Sequence, residues 1–70
     1  MFREKVDSTC LKSIGYEGDI LEVEFHGGNV YQYMSVPKSM YSDLISADSI
    51  GQFYRNKIRD NKNYKYKKII

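Results

Sequence analysis

Residues that support disulfides, metal sites and membrane spans are scarce in this 70-residue chain. The single cysteine, Cys10, has no partner for an internal disulfide, so we expect a reducing compartment, the cytoplasm. His26 is the only histidine and no cysteine–histidine cluster has metal-ligand spacing, so we expect no metal and no cofactor. Long apolar runs are absent, and we therefore expect no membrane-spanning segment and no secretion signal.

Sequence patterns that indicate catalysis are missing as well. No nucleophile elbow is present, and Gly27-Gly28 lacks the glycine spacing and the following helix of a phosphate-binding loop. Cys10 lies in a strand-like stretch, where a lone thiol is far more often a small core residue than a nucleophile. The sequence therefore predicts no enzymatic activity, no catalytic residue and no small-molecule substrate.

Length and composition predict a single domain over residues 1–70. A chain this short buries only about 60% of its unfolded surface, which leaves room for one modest core. The apolar fraction is 41%, well above that of disordered chains, and the apolar residues recur periodically. We expect a folded protein of marginal stability.

Charge is distributed unevenly along the chain. Residues 1–54 carry four basic and eight acidic side chains, a net charge of −4, whereas residues 55–70 carry seven basic side chains against Asp60, a net charge of +6. A molecule with one strongly basic end is expected to meet an anionic partner there.

Alternation of apolar and polar residues predicts three strands. Residues 10–16 alternate weakly, and residues 19–26 alternate clearly, with Leu21 and Phe25 on one face and glutamates on the other. Two glycines follow and can supply the positive φ of a tight turn, after which residues 30–35 return as an antiparallel strand.

The length of the turn decides which face Tyr31 and Tyr33 occupy. A two-residue turn would pair Phe25 with Val30 and place Gln32 on the core face, whereas a three-residue turn places both tyrosines on the face of Phe25. We favour the three-residue turn, because burying two aromatic rings stabilises more than burying Val30 while dehydrating Gln32.

Helical spacing follows the strands. It predicts a first helix from about Pro37 to Ala47 and a second helix that Asp48 or Ser49 caps and that continues to about Ile58. We expect Gly51 to allow either close approach of the two helices or a sharp corner.

The predicted fold class is α+β. It consists of a three-stranded antiparallel β-meander followed by two helices packed on one face of the sheet, with the other face open. Residues 8–59 form the predicted core domain. Residues 60–70 form a basic tail that is either disordered or a short final strand.

The basic end combines cations with aromatic rings. Lysine and arginine bind phosphates, and tyrosine rings stack on unpaired bases, so this stretch suits single-stranded or looped RNA. The alternative is a solvated tail of a chain rich in residues with AT-rich codons. The candidate nucleic-acid-binding residues are Tyr31, Tyr33, Arg55, Lys57, Arg59, Lys62, Tyr64, Lys65, Tyr66 and Lys68.

The order and spacing of the motifs along the chain resemble one known family, the KTSC domain. The residues that carry the resemblance are Leu11-Lys-Ser-Ile-Gly-Tyr16, Leu21-Glu-Val-Glu-Phe25, Gly28, Tyr31-Gln-Tyr33, Val36-Pro37, Tyr41, Leu44, Ala47-Asp-Ser49-Ile-Gly51 and Ile58-Arg59. The resemblance covers roughly residues 8–59. The chain departs from the family at Phe53-Tyr54-Arg55, where members commonly have Tyr-Phe-Asn.

The resemblance implies both a context and a function. The family is named after the C-terminal region of some lysyl-tRNA synthetases, and it also occurs as free-standing bacterial or phage proteins of this size, the form that this chain resembles. RNA binding has been suggested for the family, and no enzymatic activity is associated with it.

Two functions of different classes are therefore predicted. The first is binding of RNA, structured or tRNA-like, through the basic end and the tyrosines. The alternative is a protein-interaction module that uses the open sheet face or a strand edge, with another protein or a second copy of the chain as partner. No membrane partner is expected.

Overall fold

The computed structural model describes all 70 residues, from Met1 to Ile70. It contains five strands, a helix and a second helix that changes from α to π geometry. The elements are β1 (Glu4–Lys5), β2 (Leu11–Glu17), β3 (Ile20–Phe25), β4 (Val30–Tyr33), α1 (Lys38–Ser46), α2 (Ile50–Phe53) with its π-helical continuation (Tyr54–Arg59), and β5 (Tyr66–Lys68). Neither helix is long and apolar enough to cross a membrane.

The strands form one antiparallel sheet in the order β1-β2-β3-β4-β5. The three predicted strands are its centre, and the α+β class is confirmed. The three-stranded count is wrong, because residues ahead of Ser8 add β1 to one edge and the basic tail adds β5 to the other. The tail is therefore an edge strand of the sheet.

The hairpin between β3 and β4 places the tyrosines as predicted. Tyr31 lies opposite Val23, and Tyr33 lies opposite Leu21. Phe25 donates its backbone N–H to the carbonyl oxygen of Asn29, which leaves a three-residue turn, and Gly28 adopts a positive φ of 97° there. Directly opposed residues share a sheet face, so both tyrosines lie on the core face.

Both predicted helices are present, with boundaries close to the expected ones. Pro37 and Ala47 flank α1, and the Ser49 hydroxyl accepts a hydrogen bond from the backbone N–H of Gln52 at the start of α2. Gly51 was expected to allow either close approach of the two helices or a sharp corner, and the structure shows a further close neighbour. A Cβ there would lie 3.1 Å from the Cβ of Cys10, so the missing side chain lets α2 approach the segment ahead of β2.

The core lies between the helices and one face of the sheet. Tyr16 stacks on Tyr41 with 4.8 Å between ring centroids and 9° between planes, which joins β2 to α1. The buried cluster consists of Leu11, Ile14, Leu21, Val23, Tyr33, Val36, Leu44, Tyr54 and Ile58. Its members come from all the longer elements, so one core unites the chain.

The other face of the sheet was expected to be open, and it carries a polar network instead. Arg3 crosses this face, where its guanidinium pairs with Glu22 and its Nε donates to the Ser13 hydroxyl at 3.1 Å. Gln32 donates to Glu22 at 2.8 Å, and Ser13 donates to Glu24 at 2.7 Å. Glu22 is only 4% exposed, so the N-terminal segment covers this face.

Candidate nucleic-acid interface

A pocket of about 400 Å³ opens on the helix-bearing side of the sheet, next to β5. Strands β3, β4 and β5, the residue after the hairpin turn and both ends of the π-helix contribute to it. Its lining residues are Phe25, Asn29, Tyr31, Tyr33, Tyr54, Arg59 and Tyr66. The size lies in the range of small-molecule and cofactor pockets, and most of the lining is aromatic.

Tyr33 and Tyr54 form the floor of the pocket. Their hydroxyls share a hydrogen bond of 2.6 Å, and the two residues are 3% and 2% exposed. Burial raises the pKa of both phenols. The rings therefore belong to the core, and neither offers a free face to a stacking ligand.

Three further rings surround this floor. Phe25 meets Tyr31 and Tyr54 edge-on, with ring centroids 5.6 Å and 5.7 Å apart. Tyr66 lies 5.8 Å from Tyr31 and 5.5 Å from Tyr33, with its plane tilted by 37° and 34° to theirs. Tyr66 is 61% exposed, so one part of its ring faces solvent beside the pocket.

Arg59 is the one charged residue of the pocket lining, and the π-helix explains its position. The backbone N–H of Asp60 donates to the carbonyl oxygen of Arg55, five residues earlier. An α-helix would turn residues five apart to different faces, whereas π-helical bonding brings Tyr54 and Arg59 towards one face. π-Helical turns are frequent at functional sites.

Asp60 is the nearest counter-charge to this arginine. Its carboxylate accepts from the Arg59 Nε at 3.0 Å, and this hydrogen bond raises the pKa of the guanidinium. Both side chains are more than half exposed, so the pair is weak. The terminal nitrogens of Arg59 make no hydrogen bond or ion pair of their own.

Side chains along β5 alternate between the two faces of the sheet, so its two lysines lie on opposite faces. Lys68 lies opposite Tyr31 and so shares the pocket face, as does Tyr66 opposite Tyr33. Lys67 lies opposite Gln32 and shares the face of the polar network. Only one of the two adjacent lysines can therefore serve the pocket.

The structure brings five of the predicted site residues together: Tyr31, Tyr33, Arg59, Tyr66 and Lys68. The others lie apart. Arg55 borders a groove with Asp7 and Asp48, Lys57 is exposed on the π-helix, and Tyr64 packs against the core. Lys62 and Lys65 are exposed in the segment that leads into β5.

Sequence reasoning missed three lining residues: Phe25, Asn29 and Tyr54. The strand pattern predicts Phe25 on the core face, so a signal for this residue was present, whereas nothing in the sequence singled out Asn29. No sequence signal marks the π-helix that brings Tyr54 and Arg59 to the same pocket.

The arrangement suits a flat aromatic group that carries a negative charge. Exposed tyrosine offers a π-face, Asn29 offers an amide donor and acceptor, and Arg59 offers guanidinium donors. No carboxylate or thiol lines the pocket. Fold and pocket together define a small α+β domain built around an aromatic, cationic recess.

Comparison with known proteins identifies the family. Residues 7–66 match the KTSC domain, and the chain therefore belongs to the KTSC domain family. The crystal structure of a KTSC domain protein from Yersinia pestis is 35% identical, has a TM-score of 0.88, and covers 99% of this chain and 97% of that one. A 39% identical protein of Stutzerimonas stutzeri matches over 99% of both chains.

A third relative is much longer than this chain. The lysine–tRNA ligase of Nostoc punctiforme is 37% identical over 57 residues, which is 79% of this chain and 10% of the ligase. The shared segment is thus a small part of the ligase, whereas the Yersinia and Stutzerimonas proteins match over nearly their full lengths.

Proposed function

We propose that this KTSC domain binds single-stranded or looped RNA at the aromatic pocket and the basic edge beside it. The observation that carries the proposal is the convergence of Arg59, Lys68 and the exposed ring of Tyr66 on one side of the sheet. They come from two different elements, Arg59 from the π-helix and the other two from β5. Together they offer cations for phosphates and an aromatic face for an unpaired base.

Electrostatics favours RNA over a neutral partner at this surface. The basic C-terminal segment is folded onto the sheet edge beside the pocket, so its charge is held in place. Lysines and arginines that neutralise phosphates release counterions, and this term supplies most of the affinity of non-specific binding. Lys62 and Lys65, exposed just ahead of β5, extend the cationic edge.

The relatives add independent support. A lysine–tRNA ligase acts on an RNA substrate, and the Nostoc enzyme carries a segment 37% identical to this chain. Transfer RNA has single-stranded loops and an unpaired end, which are the RNA elements that proteins read by stacking.

Two predicted contacts, Arg55 and Tyr64, lie in surroundings that do not suit RNA. Arg55 borders a groove with Asp7 and Asp48, whose carboxylates repel phosphate. Tyr64 packs against the core cluster, and its contribution is to hold the segment before β5.

The test compares two arginines on the same helix. Binding of a fluorescent unstructured RNA and of a total tRNA pool is measured by anisotropy and competition for the parent chain, Arg59→Gln and Arg55→Gln. Both variants lose one positive charge, so a general charge effect weakens both equally. We expect Arg59→Gln to lose several-fold more affinity than Arg55→Gln, because only Arg59 reaches the pocket.

Point substitutions are preferable to a chain that ends at Arg59. Such a truncation would remove β5, which is the strand that pairs with β4. A loss of binding would then report unfolding as readily as a lost contact. Equal affinities of the two arginine variants, or no RNA binding by the parent chain at low salt, would contradict the proposal.

A further inference from the structure

We infer that the pocket holds one nucleotide unit of the bound strand, with its base against Tyr66 and its phosphate on Arg59. This inference rests on the proposed RNA binding and specifies its site. It assigns separate roles to the ring, the amide and the cation of the pocket.

The base position follows from the exposure of the rings. Tyr33 and Tyr54 are buried, and Phe25 meets its neighbours edge-on, so Tyr66 is the ring with the most free face. Its plane is tilted by 37° to that of the half-buried Tyr31. An unpaired base stacks on such an exposed tyrosine whatever its sequence, because every base has a π-face.

One amide side chain of the pocket is available to the edge of the base. Asn29 follows the hairpin turn and lines the pocket with Tyr66 and Arg59. An asparagine amide presents both a donor and an acceptor, and proteins read splayed RNA bases through hydrogen bonds to their edges. Asn29 is therefore the residue that could distinguish one base from another.

The phosphate position follows from charge. Arg59 is the single cation of the lining, and Asp60 engages only its Nε, which leaves the two terminal nitrogens to donate to a phosphate. Lys68 lies on the same face, opposite Tyr31, and suits the phosphate of a neighbouring nucleotide. This second cation favours a strand over a free mononucleotide.

The first experiment uses the smallest ligands that separate base from phosphate. Adenosine and adenosine monophosphate are titrated into ¹⁵N-labelled protein, and amide shifts are followed by NMR. We expect both ligands to shift resonances of Asn29, Tyr31 and Tyr66, and we expect the monophosphate to bind several-fold more tightly. Shifts confined to surface lysines with the monophosphate alone would overturn the inference, because they would report charge without stacking.

Variants of Arg59 and Tyr66 test the phosphate contact and the base contact separately. Arg59→Gln should bring the affinity of the monophosphate down to that of adenosine and leave adenosine unchanged. Tyr66→Ala should weaken both ligands and the RNA by about fivefold or more, the equivalent of one stacking contact. Tyr66 is largely exposed on an edge strand, so we expect Tyr66→Ala to fold, and Tyr66→Phe, which keeps the ring and lacks the hydroxyl, should retain binding.

The outcomes separate this inference from the proposed function. If RNA binds Tyr66→Ala and the parent chain with equal affinity, and adenosine monophosphate does not compete with the RNA, the inferred nucleotide pocket is overturned. The proposed RNA binding would still stand. Failure of any RNA to bind would overturn the proposed function and this inference with it. Competition by the monophosphate, lost in Arg59→Gln, is the result that we expect.

Discussion

At the residue scale, two phenol groups inside the core show how buried polar atoms are satisfied by hydrogen bonding. The hydroxyls of Tyr33 and Tyr54 satisfy each other at 2.6 Å in an environment of packed rings. An unsatisfied buried hydroxyl costs more than a satisfied pair contributes. The pair therefore fixes how the π-helix packs against β4.

Removing one of these hydroxyls should cost more than removing both. We expect Tyr54→Phe to lower the free energy of unfolding by about 1–2 kcal/mol, because it leaves the Tyr33 hydroxyl buried without its partner. The double variant, Tyr33→Phe with Tyr54→Phe, should recover part of that loss. Urea unfolding of the four chains in a double-mutant cycle measures the coupling. Strictly additive losses would show that the two hydroxyls act independently.

Glu22 should make stability depend on pH. Burial raises the pKa of Glu22, but hydrogen bonds from Gln32 and Arg3 and the charge of Arg3 outweigh it, and the net pKa lies below its ordinary value. A carboxylate with a depressed folded-state pKa stabilises the fold above its unfolded pKa, and this stabilisation is lost as the pH falls through the folded pKa.

Acid titration of stability tests this carboxylate. We expect the free energy of unfolding to fall more steeply between about pH 5 and about pH 3 in the parent chain than in Glu22→Gln. Asp43→Asn, which removes a carboxylate from an exposed position of α1, is the control. A parent-like titration of Glu22→Gln would contradict the role assigned to the network.

At the scale of elements, β1 depends on a glycine in its neighbour. A Cβ at Gly15 would lie 2.6 Å from the carbonyl oxygen of Phe2 and 3.0 Å from the Cγ of Arg3. Only a residue without a side chain lets the N-terminal segment approach β2 this closely. The contact also positions Arg3 over Glu22.

Gly15→Ala should therefore detach β1. We expect it to lower the free energy of unfolding by about 1–3 kcal/mol and to speed amide hydrogen exchange at Lys5 and Ser13. Gly27→Ala is the matched control, because nothing lies within 4 Å of the added Cβ. Equal stability of the two variants would mean that β1 contributes little.

The central elements could be predicted from sequence, and the edges could not. Strand β3 has an apolar and a charged face, which identifies it from sequence. The register of β4 was predicted correctly, because burying Tyr31 and Tyr33 stabilises the fold more than the alternative register does. Strand β1 has two residues and β5 has three, most of them charged, so neither shows an apolar period. Short, charged strands are typical of sheet edges, where they discourage pairing with other chains.

The candidate site was predictable only as a list of residues. Cations and tyrosines in one basic stretch predicted an RNA-binding surface, but which of them meet depends on contacts distant in sequence. Arg59 reaches the pocket through a π-helix, and Lys68 lies on the pocket face through an edge strand; neither element has a sequence pattern of its own. Arg55, with the same chemistry, lies in another groove.

At the scale of the whole molecule, the sheet has two faces with different chemistry. One carries the core, the helices and the aromatic pocket, and the other carries the network of Arg3, Glu22 and Gln32. The predicted protein-interaction function required an open sheet face, and this network occupies that face. Pairing of a second copy or another protein at a strand edge stays a prediction, which light scattering over a range of concentrations can test.

Adjacent lysines on β5 offer the most direct test of RNA binding at the pocket face. Lys68→Gln and Lys67→Gln make the same change one residue apart on opposite faces of the sheet. RNA affinity is measured for both and for the parent chain between about 50 mM and about 200 mM salt. We expect Lys68→Gln to weaken binding and to reduce the salt slope by about 0.7, the loss of one phosphate contact on a single strand, while Lys67→Gln retains the parent slope. Equal slopes for the two variants would contradict RNA binding at the pocket face.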